Sequence, residues 1–300
     1  MIVSSVARLV ALSLVSASVL SACGGEDGGS APVDVTVADV GFQTPESVLH
    51  DAVDDVYLVS NINGSPSDKD GNGFISRLAP SGEVIDLRWI DGAAAGTTLN
   101  APKGMAIAGD RLYVADIDCI RIFERATGAP AGERCVEGSS FLNDVATANG
   151  GGILFTDSGL TSSFAPSGTD AVYRLDGDEL ATVIMNAALG APNGVIDTAE
   201  GVLVVTFMSG EVYRIAPDGT RSMLSSRSER QLDGVVELAD GRVLMSSWGD
   251  SCIYEMSADG TMTCIIPDVA APADIGVDLG RSRVLVPLFN ANAVMIRSVP

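Results

Sequence analysis

Six polar side chains recur at one place in a repeated phrase: Glu46, Lys103, Asn143, Asn193, Asp233 and Asp274. The phrase reads Pro45-Glu46-Ser47-Val48, Pro102-Lys103-Gly104-Met105, Leu142-Asn143-Asp144-Val145, Pro192-Asn193-Gly194-Val195 and Leu232-Asp233-Gly234-Val235, and more loosely Ala273-Asp274-Ile275-Gly276. Brought together, three carboxylates and two carboxamides repel one another unless a cation sits among them. Such an all-oxygen set suits Ca²⁺, with another divalent ion as the alternative. With His50 as the sole histidine, a His-based zinc site is excluded, as is any catalytic triad that does not use His50 itself. The plainer account of the repeat is that Asn and Asp favour turns wherever strands begin.

The elements that must position these residues follow from the spacing. Each phrase precedes a short β-rich run: Val56 to Ser60, Leu112 to Asp116, Ile153 to Asp157, Leu203 to Phe207, Val243 to Ser247 and Val284 to Leu288. Gly/Asp turns such as Pro217-Asp218-Gly219-Thr220 separate further strands. The repeated polar residues are 57, 40, 50, 40 and 41 positions apart, three of the five at the length of a four-stranded propeller blade, and no segment carries sustained helical periodicity. An all-β, six-bladed β-propeller spanning 33–300 is expected, its last blade completed by the strand of Val33 to Val37. The first strand of each blade lines the central channel, so the six residues should converge at one mouth.

The second strands return to that mouth, which places Asn61, Asp116, Asp157, Ser247 and Trp248 on its rim. Asp144 and Asp157 read as hydrogen-bonded turn anchors. The segment Asp68-Lys69-Asp70-Gly71-Asn72-Gly73 starts like an EF-hand loop but has Ala79 where that loop needs Glu, so a hairpin loop with at most a weak calcium site is expected.

Charge bounds the partners. Eighteen Lys and Arg against 39 Asp and Glu give a net −21, spread along the chain. Such a surface repels phosphate backbones, which excludes nucleic acid as a partner and leaves membrane contact to an anchor. Arg8 followed by the apolar run Leu9 to Leu20 has the order of a secretory signal and is too short to span a bilayer. The run ends in Leu20-Ser21-Ala22-Cys23, which resembles a bacterial lipobox. A signal over 1–23, lipidation at Cys23 and a flexible tether over 24–32 are expected, and Gly24 in place of Asp favours an outer-membrane lipoprotein of the cell envelope, facing periplasm or surface. Export permits disulfides. Cys119 and Cys135 flank one hairpin turn and Cys252 and Cys264 another, so two within-hairpin disulfides or buried thiols are the alternatives.

Glu46, Asn143-Asp144, Pro192-Asn193-Gly194 and Asp233-Gly234 look like the metal motifs of the senescence-marker-protein/gluconolactonase family of calcium-dependent propellers, itself similar to paraoxonases. The resemblance covers the chain beyond residue 40, with four motifs in order. It implies hydrolysis of lactones or esters at one divalent ion, with Glu46, Asn193 and Asp233 as ligands and Asn143 as ligand or substrate contact. Asp233 would also serve as the base. Two departures stand out. Phe141 replaces the Arg that contacts sugar hydroxyls in gluconolactonases, which points to a less polar substrate, and Lys103 puts a cation in the ring as a general acid, a carboxylate clamp or a charge balance for Glu46 and Asp274. Lys103, Phe141, Asp274 and Trp248 are the expected substrate contacts. The competing class is a non-catalytic, calcium-stabilised propeller that binds a ligand or an envelope protein.

Overall fold

The computed structural model describes residues 34–299; the expected signal, Cys23 and the tether lie outside the described residues. The chain opens with a short strand, β1 (Val35–Val37). Blade one holds β2 (Pro45–Asp51), β3 (Val56–Asn61), β4 (Phe74–Leu78) and β5 (Val84–Asp91). Blade two holds β6 (Pro102–Ala108), β7 (Arg111–Asp116), β8 (Cys119–Glu124) and β9 (Pro130–Cys135). Blade three holds β10 (Leu142–Thr147), β11 (Ile153–Asp157), β12 (Ala171–Asp176) and β13 (Glu179–Met185). Blade four holds β14 (Pro192–Thr198), β15 (Gly201–Thr206), β16 (Glu211–Ile215) and β17 (Arg221–Ser226). Blade five holds β18 (Leu232–Glu237), β19 (Val243–Ser247), β20 (Cys252–Met256) and β21 (Met262–Ile266). Blade six holds β22 (Gly276–Asp278), β23 (Arg283–Leu288) and β24 (Ala293–Ser298), with β1 as its outer strand, so the chain is a six-bladed antiparallel β-propeller closed by its N-terminal strand.

Each sheet is covered on both faces by its neighbours, which is why the second strands are apolar at successive positions instead of alternating. Tyr57, Leu58 and Val59 are all fully buried. One apolar cluster fills each of the six seams. Leu58, Ile75, Val114 and Phe123 hold blades one and two, and Val48, Val59, Leu285 and Ile296 hold six and one. A fully buried side chain of this size contributes about 1.5–3 kcal/mol. The outermost strands lack that cover, and β9 is exposed throughout.

Closure combines apolar and polar contacts. Val35 pairs Ile296 and Val37 pairs Val294. Across the seam between blades one and six the Tyr57 hydroxyl donates to Asp278 at 2.7 Å, and Arg281 donates twice to Asp55, each at 2.7 Å. His50 sits beside this group, its ring edge-on to Tyr57. Cys119 is disulfide-bonded to Cys135, directly opposite it, and Cys252 to Cys264, offset by a bulge.

Candidate functional site

The sequence places the six ring residues just ahead of the inner strands; the structure moves five of them inside. Glu46, Lys103, Asn143, Asn193 and Asp233 are each the second residue of β2, β6, β10, β14 and β18, and in all five strands the pairing register shifts there. A bulge adds a residue and re-aims its side chain, here toward the channel axis. Gly104, Gly194 and Gly234 in the repeated phrase have a steric reason: a Cβ would lie 2.5 Å from Asp144 Cα, 2.5 Å from the Asp233 carbonyl and 2.3 Å from the Ile275 nitrogen. Glycine lets adjacent inner strands approach closely enough to form a compact ring.

Hydroxyls at the ends of the second strands repair what the bulges break. Asp144 N–H donates to Thr156 Oγ1, which donates to the Asn193 carbonyl at 2.7 Å. Gly234 N–H donates to Ser246 Oγ, which donates to the Ala273 carbonyl at 2.8 Å. Ser47 N–H donates to Ser60 Oγ at 2.9 Å. Ser158 Oγ accepts from the Asn143 amide at 3.0 Å and donates to the Pro192 carbonyl, so the Asn143 carboxamide is held through one of its N–H groups.

Strain marks the same blades. Thr44, Ala191 and Gln231 have left-handed backbones, φ +52°, +59° and +48°, and each stands two residues before Glu46, Asn193 or Asp233. Non-glycine residues adopt this conformation at a cost of about 1–3 kcal/mol, and persist in it where the surroundings over-determine them. Their carbonyls accept from the N–H of Ile62, Phe207 and Trp248, at 3.1, 3.0 and 3.1 Å. Ala271, also left-handed, takes Phe289 in the same way at 3.1 Å. Floor and wall of the site are thereby joined in three blades, and in the sixth the same bond holds Phe289.

Ile62, Phe207, Trp248 and Phe289, each just after a second strand, and Phe141, just before β10, enclose with their neighbours a cavity of about 190 Å³. Its floor is Glu46, Lys103, Asn143, Asn193 and Asp233; its sides are Ile62, Phe141, Phe164, Phe207, Trp248 and Phe289, with Pro66 and Leu160. Phe207, Trp248 and Phe289 contact one another at 5.6 and 5.0 Å between ring centres, and Phe141 meets Phe164 at 6.0 Å. Sequence reasoning found Trp248 and missed Phe207 and Phe289. Their signal was positional: each ends or follows the same apolar run that Ser247-Trp248 ends.

Four floor oxygens are buried without a hydrogen-bond partner: Glu46 Oε2, Asn143 Oδ1, Asn193 Oδ1 and Asp233 Oδ1. Left so, each would cost about 1–3 kcal/mol, more for a charged group, which a bound cation would offset. Burial pushes Asp233 up to about 8; Trp248 pulls against it, Asp144 adds to it and Asn193 opposes it. Glu46 is raised well above the carboxylate range by burial, then by Asp233 and Asp274, with Lys103 opposing. Burial lowers the Lys103 ammonium while Glu46 supports it. Acidic groups that raise one another in this way fit a cation, and the chemistry of the donors fits Ca²⁺. Among the described residues no three His, Cys, Asp or Glu side chains are grouped to hold a metal. The four-oxygen set closes only through the two carboxamides.

The remaining expected positions sort differently. Asp274 does not line this cavity. Its inner strand starts only at Gly276, and its side chain accepts from Ser47 and faces the channel beyond the ring, so it is not placed as a substrate contact. Asn61, Asp116 and Asp157 are buried pegs instead of rim residues: Asp157 accepts from the N–H groups of Ser140, Phe141 and Gly159, and Asp116 from Asn100, Ala101 and Arg121. Asp144 is an anchor as expected, accepting from Val145 and Val195 at 2.6 and 2.7 Å. His50 lines the channel on the far side.

Fold and floor together define a six-bladed propeller with a ring of oxygen donors under an aromatic cavity. No protein-family model matches the chain, and no curated protein matches it by sequence. Solved structures share its fold. A gluconolactonase from Xanthomonas campestris is 20% identical over 90% of each chain, with a TM-score of 0.68. Regucalcin, a calcium-binding protein from Agrobacterium tumefaciens, is 14% identical over 89% of this chain and 94% of its own, with a TM-score of 0.63. A catalytically inactive histidine-to-alanine variant of virginiamycin B lyase from Staphylococcus aureus, with quinupristin, is 11% identical over 90% and 99%, with a TM-score of 0.61.

Proposed function

We propose that this protein is a divalent-cation-dependent hydrolase of lactones or esters, with Ca²⁺ as the ion, exported and anchored at the cell envelope through Cys23. The observation that carries the hydrolase reading is the set of four unpartnered oxygens converging under a cavity large enough for a small molecule. Glu46, Asn143, Asn193 and Asp233 would hold the ion, which supplies Lewis-acid polarisation of a carbonyl. The chain's own residues do the rest. Asp233 faces the cavity and would act as the general base through the carboxylate oxygen that the ion does not take. Phe141, Phe207, Trp248 and Phe289 exclude water and orient the acyl group, and Lys103 stands beside it.

Gluconolactonase and regucalcin support this reading by fold; a fold alone does not choose among chemistries. The lyase, inactivated by loss of a histidine, suggests a different reaction. This chain has no histidine at the cavity, since His50 lies on the far side of the ring. The test is a panel of aliphatic, aromatic and sugar lactones with aryl esters, assayed with Ca²⁺ and with chelator. Chelator-sensitive turnover is expected. No turnover on any member, from protein shown to hold its metal, would replace the hydrolase with a calcium-stabilised binding module.

A further inference from the structure

The polar atoms of the cavity divide unevenly. Four acceptors are buried and unpartnered, all on the floor. The Asn143 amide N–H is taken by Ser158. Beside the carboxamide N–H groups of the floor, the donors left to a ligand are the Lys103 ammonium and the indole N–H of Trp248, which lies toward Asp233, is buried and completes no hydrogen bond. Lys103 is 1% exposed, is the one cationic side chain lining the cavity, and makes a single hydrogen bond, to the Ala101 carbonyl at 3.2 Å. Its nitrogen stands 4.5 Å from the centre of the Phe141 ring. Every other lining side chain is apolar.

We propose that Lys103 sets the ligand class of this cavity: its ammonium receives the acyl oxygen of an apolar monocarboxylate, or of the lactone or ester that yields one. The lactone and ester part rests on the hydrolase reading; carboxylate binding does not. Once a cation takes the four oxygens, the acceptors left on the floor are the second carboxylate oxygens of Glu46 and Asp233, too few for a polyhydroxylated ligand, and each unmatched hydroxyl weakens binding. A carbonyl or carboxylate needs donors only, and a charged donor makes the stronger bond. Hydrolysis leaves the group where Lys103 can hold it. The acyl carbon–oxygen bond breaks, water's oxygen joins the acyl carbon, the leaving oxygen takes a proton, and the acid formed loses its own proton to become a carboxylate. The apolar remainder lies against Phe141, Phe207 and Phe289 and leaves past Phe164, 50% exposed on a left-handed backbone at φ +58°.

Calorimetric titration of the calcium-loaded protein with sodium octanoate, 3-phenylpropionate and gluconate tests this without any need for turnover. Both apolar carboxylates should bind at least tenfold more tightly than gluconate. Lys103→Met should lose tenfold or more of that affinity with calcium affinity unchanged, and Lys103→Arg should recover part of it. Retained octanoate affinity in Lys103→Met, with calcium affinity altered, would overturn the proposal and make Lys103 a charge balance for Glu46. The ranking of octanoate over gluconate on the unaltered protein decides independently of whether the variants fold, and equal affinities overturn the proposal. Carboxylate binding as expected, with no turnover of any lactone, supports the assignment of Lys103 and overturns the hydrolase alone.

Discussion

The two ends of the central channel are built from the same inner strands and differ in almost everything else. The end beyond the ring opens into a cavity of about 400 Å³, twice the volume of the aromatic one, lined by strand residues such as Val48, Met105, Val145 and Val235 together with His50, Asp144 and Asp274. None of its lining side chains carries a buried, unpartnered polar atom. The aromatic end has five: four floor oxygens and the Trp248 N–H. Three of the five floor residues there also follow a left-handed residue. Size alone would choose the wrong end. Unmet hydrogen-bonding capacity and retained strain mark the end where a ligand completes the structure.

The contrast breaks if substitutions at the two ends behave alike. Asp233→Ala should lower turnover about a thousandfold, the scale of the several kcal/mol that a Lewis acid supplies, and abolish the rise in melting temperature on adding Ca²⁺. Asp274→Asn, which keeps a partner for Ser47, should leave KM and the calcium-dependent rise in place. An Asp233→Ala protein that still gains stability from calcium would sink the floor assignment.

A pH series sharpens the same comparison. Asp233 is raised to about 8 and Asp144 to about 7, with Glu46 higher than its ordinary range, each chiefly by burial. A raised carboxyl contributes stability that is complete below its unfolded value near 4 and is lost as pH climbs through the folded value. The chelated protein should therefore lose stability from these groups between about pH 5 and pH 8. Calcium must displace the protons of Asp233 and Glu46, so the calcium-induced gain in melting temperature should grow over that interval. An equal gain at pH 6 and pH 9 would show that Asp233 and Glu46 are not the carboxyls that meet the ion.

The smallest effect concerns strain. Gln231→Gly should be neutral or stabilising by about 0.5 kcal/mol in chemical denaturation, because glycine takes the left-handed conformation freely. Thr263→Gly, in the exposed outer strand β21, should instead cost about 1 kcal/mol. Equal losses at both positions would remove the argument that Gln231 is held under strain.

What the sequence determined by itself was whatever repeats. A period near forty, apolar runs and Gly/Asp turns specify six like units, because sheets that bury both faces must be apolar at successive positions and identical packing recurs at each seam. The same repetition put Glu46, Asn143, Asn193 and Asp233 in register, and the cysteine spacing admitted both hairpin disulfides. Tertiary structure decided what depends on direction. Bulges, which no composition announces, turned five side chains into the channel, and the late start of β22 put Asp274 on the other side. Close approach between neighbouring inner strands, and not turn geometry, gave Gly104, Gly194 and Gly234 their purpose. The aromatic wall is assembled from blades three, four, five and six, so Phe141, Phe207, Trp248 and Phe289 meet only when the ring closes: contact between residues so distant along the chain is a property of the closed circle, and no local pattern encodes it.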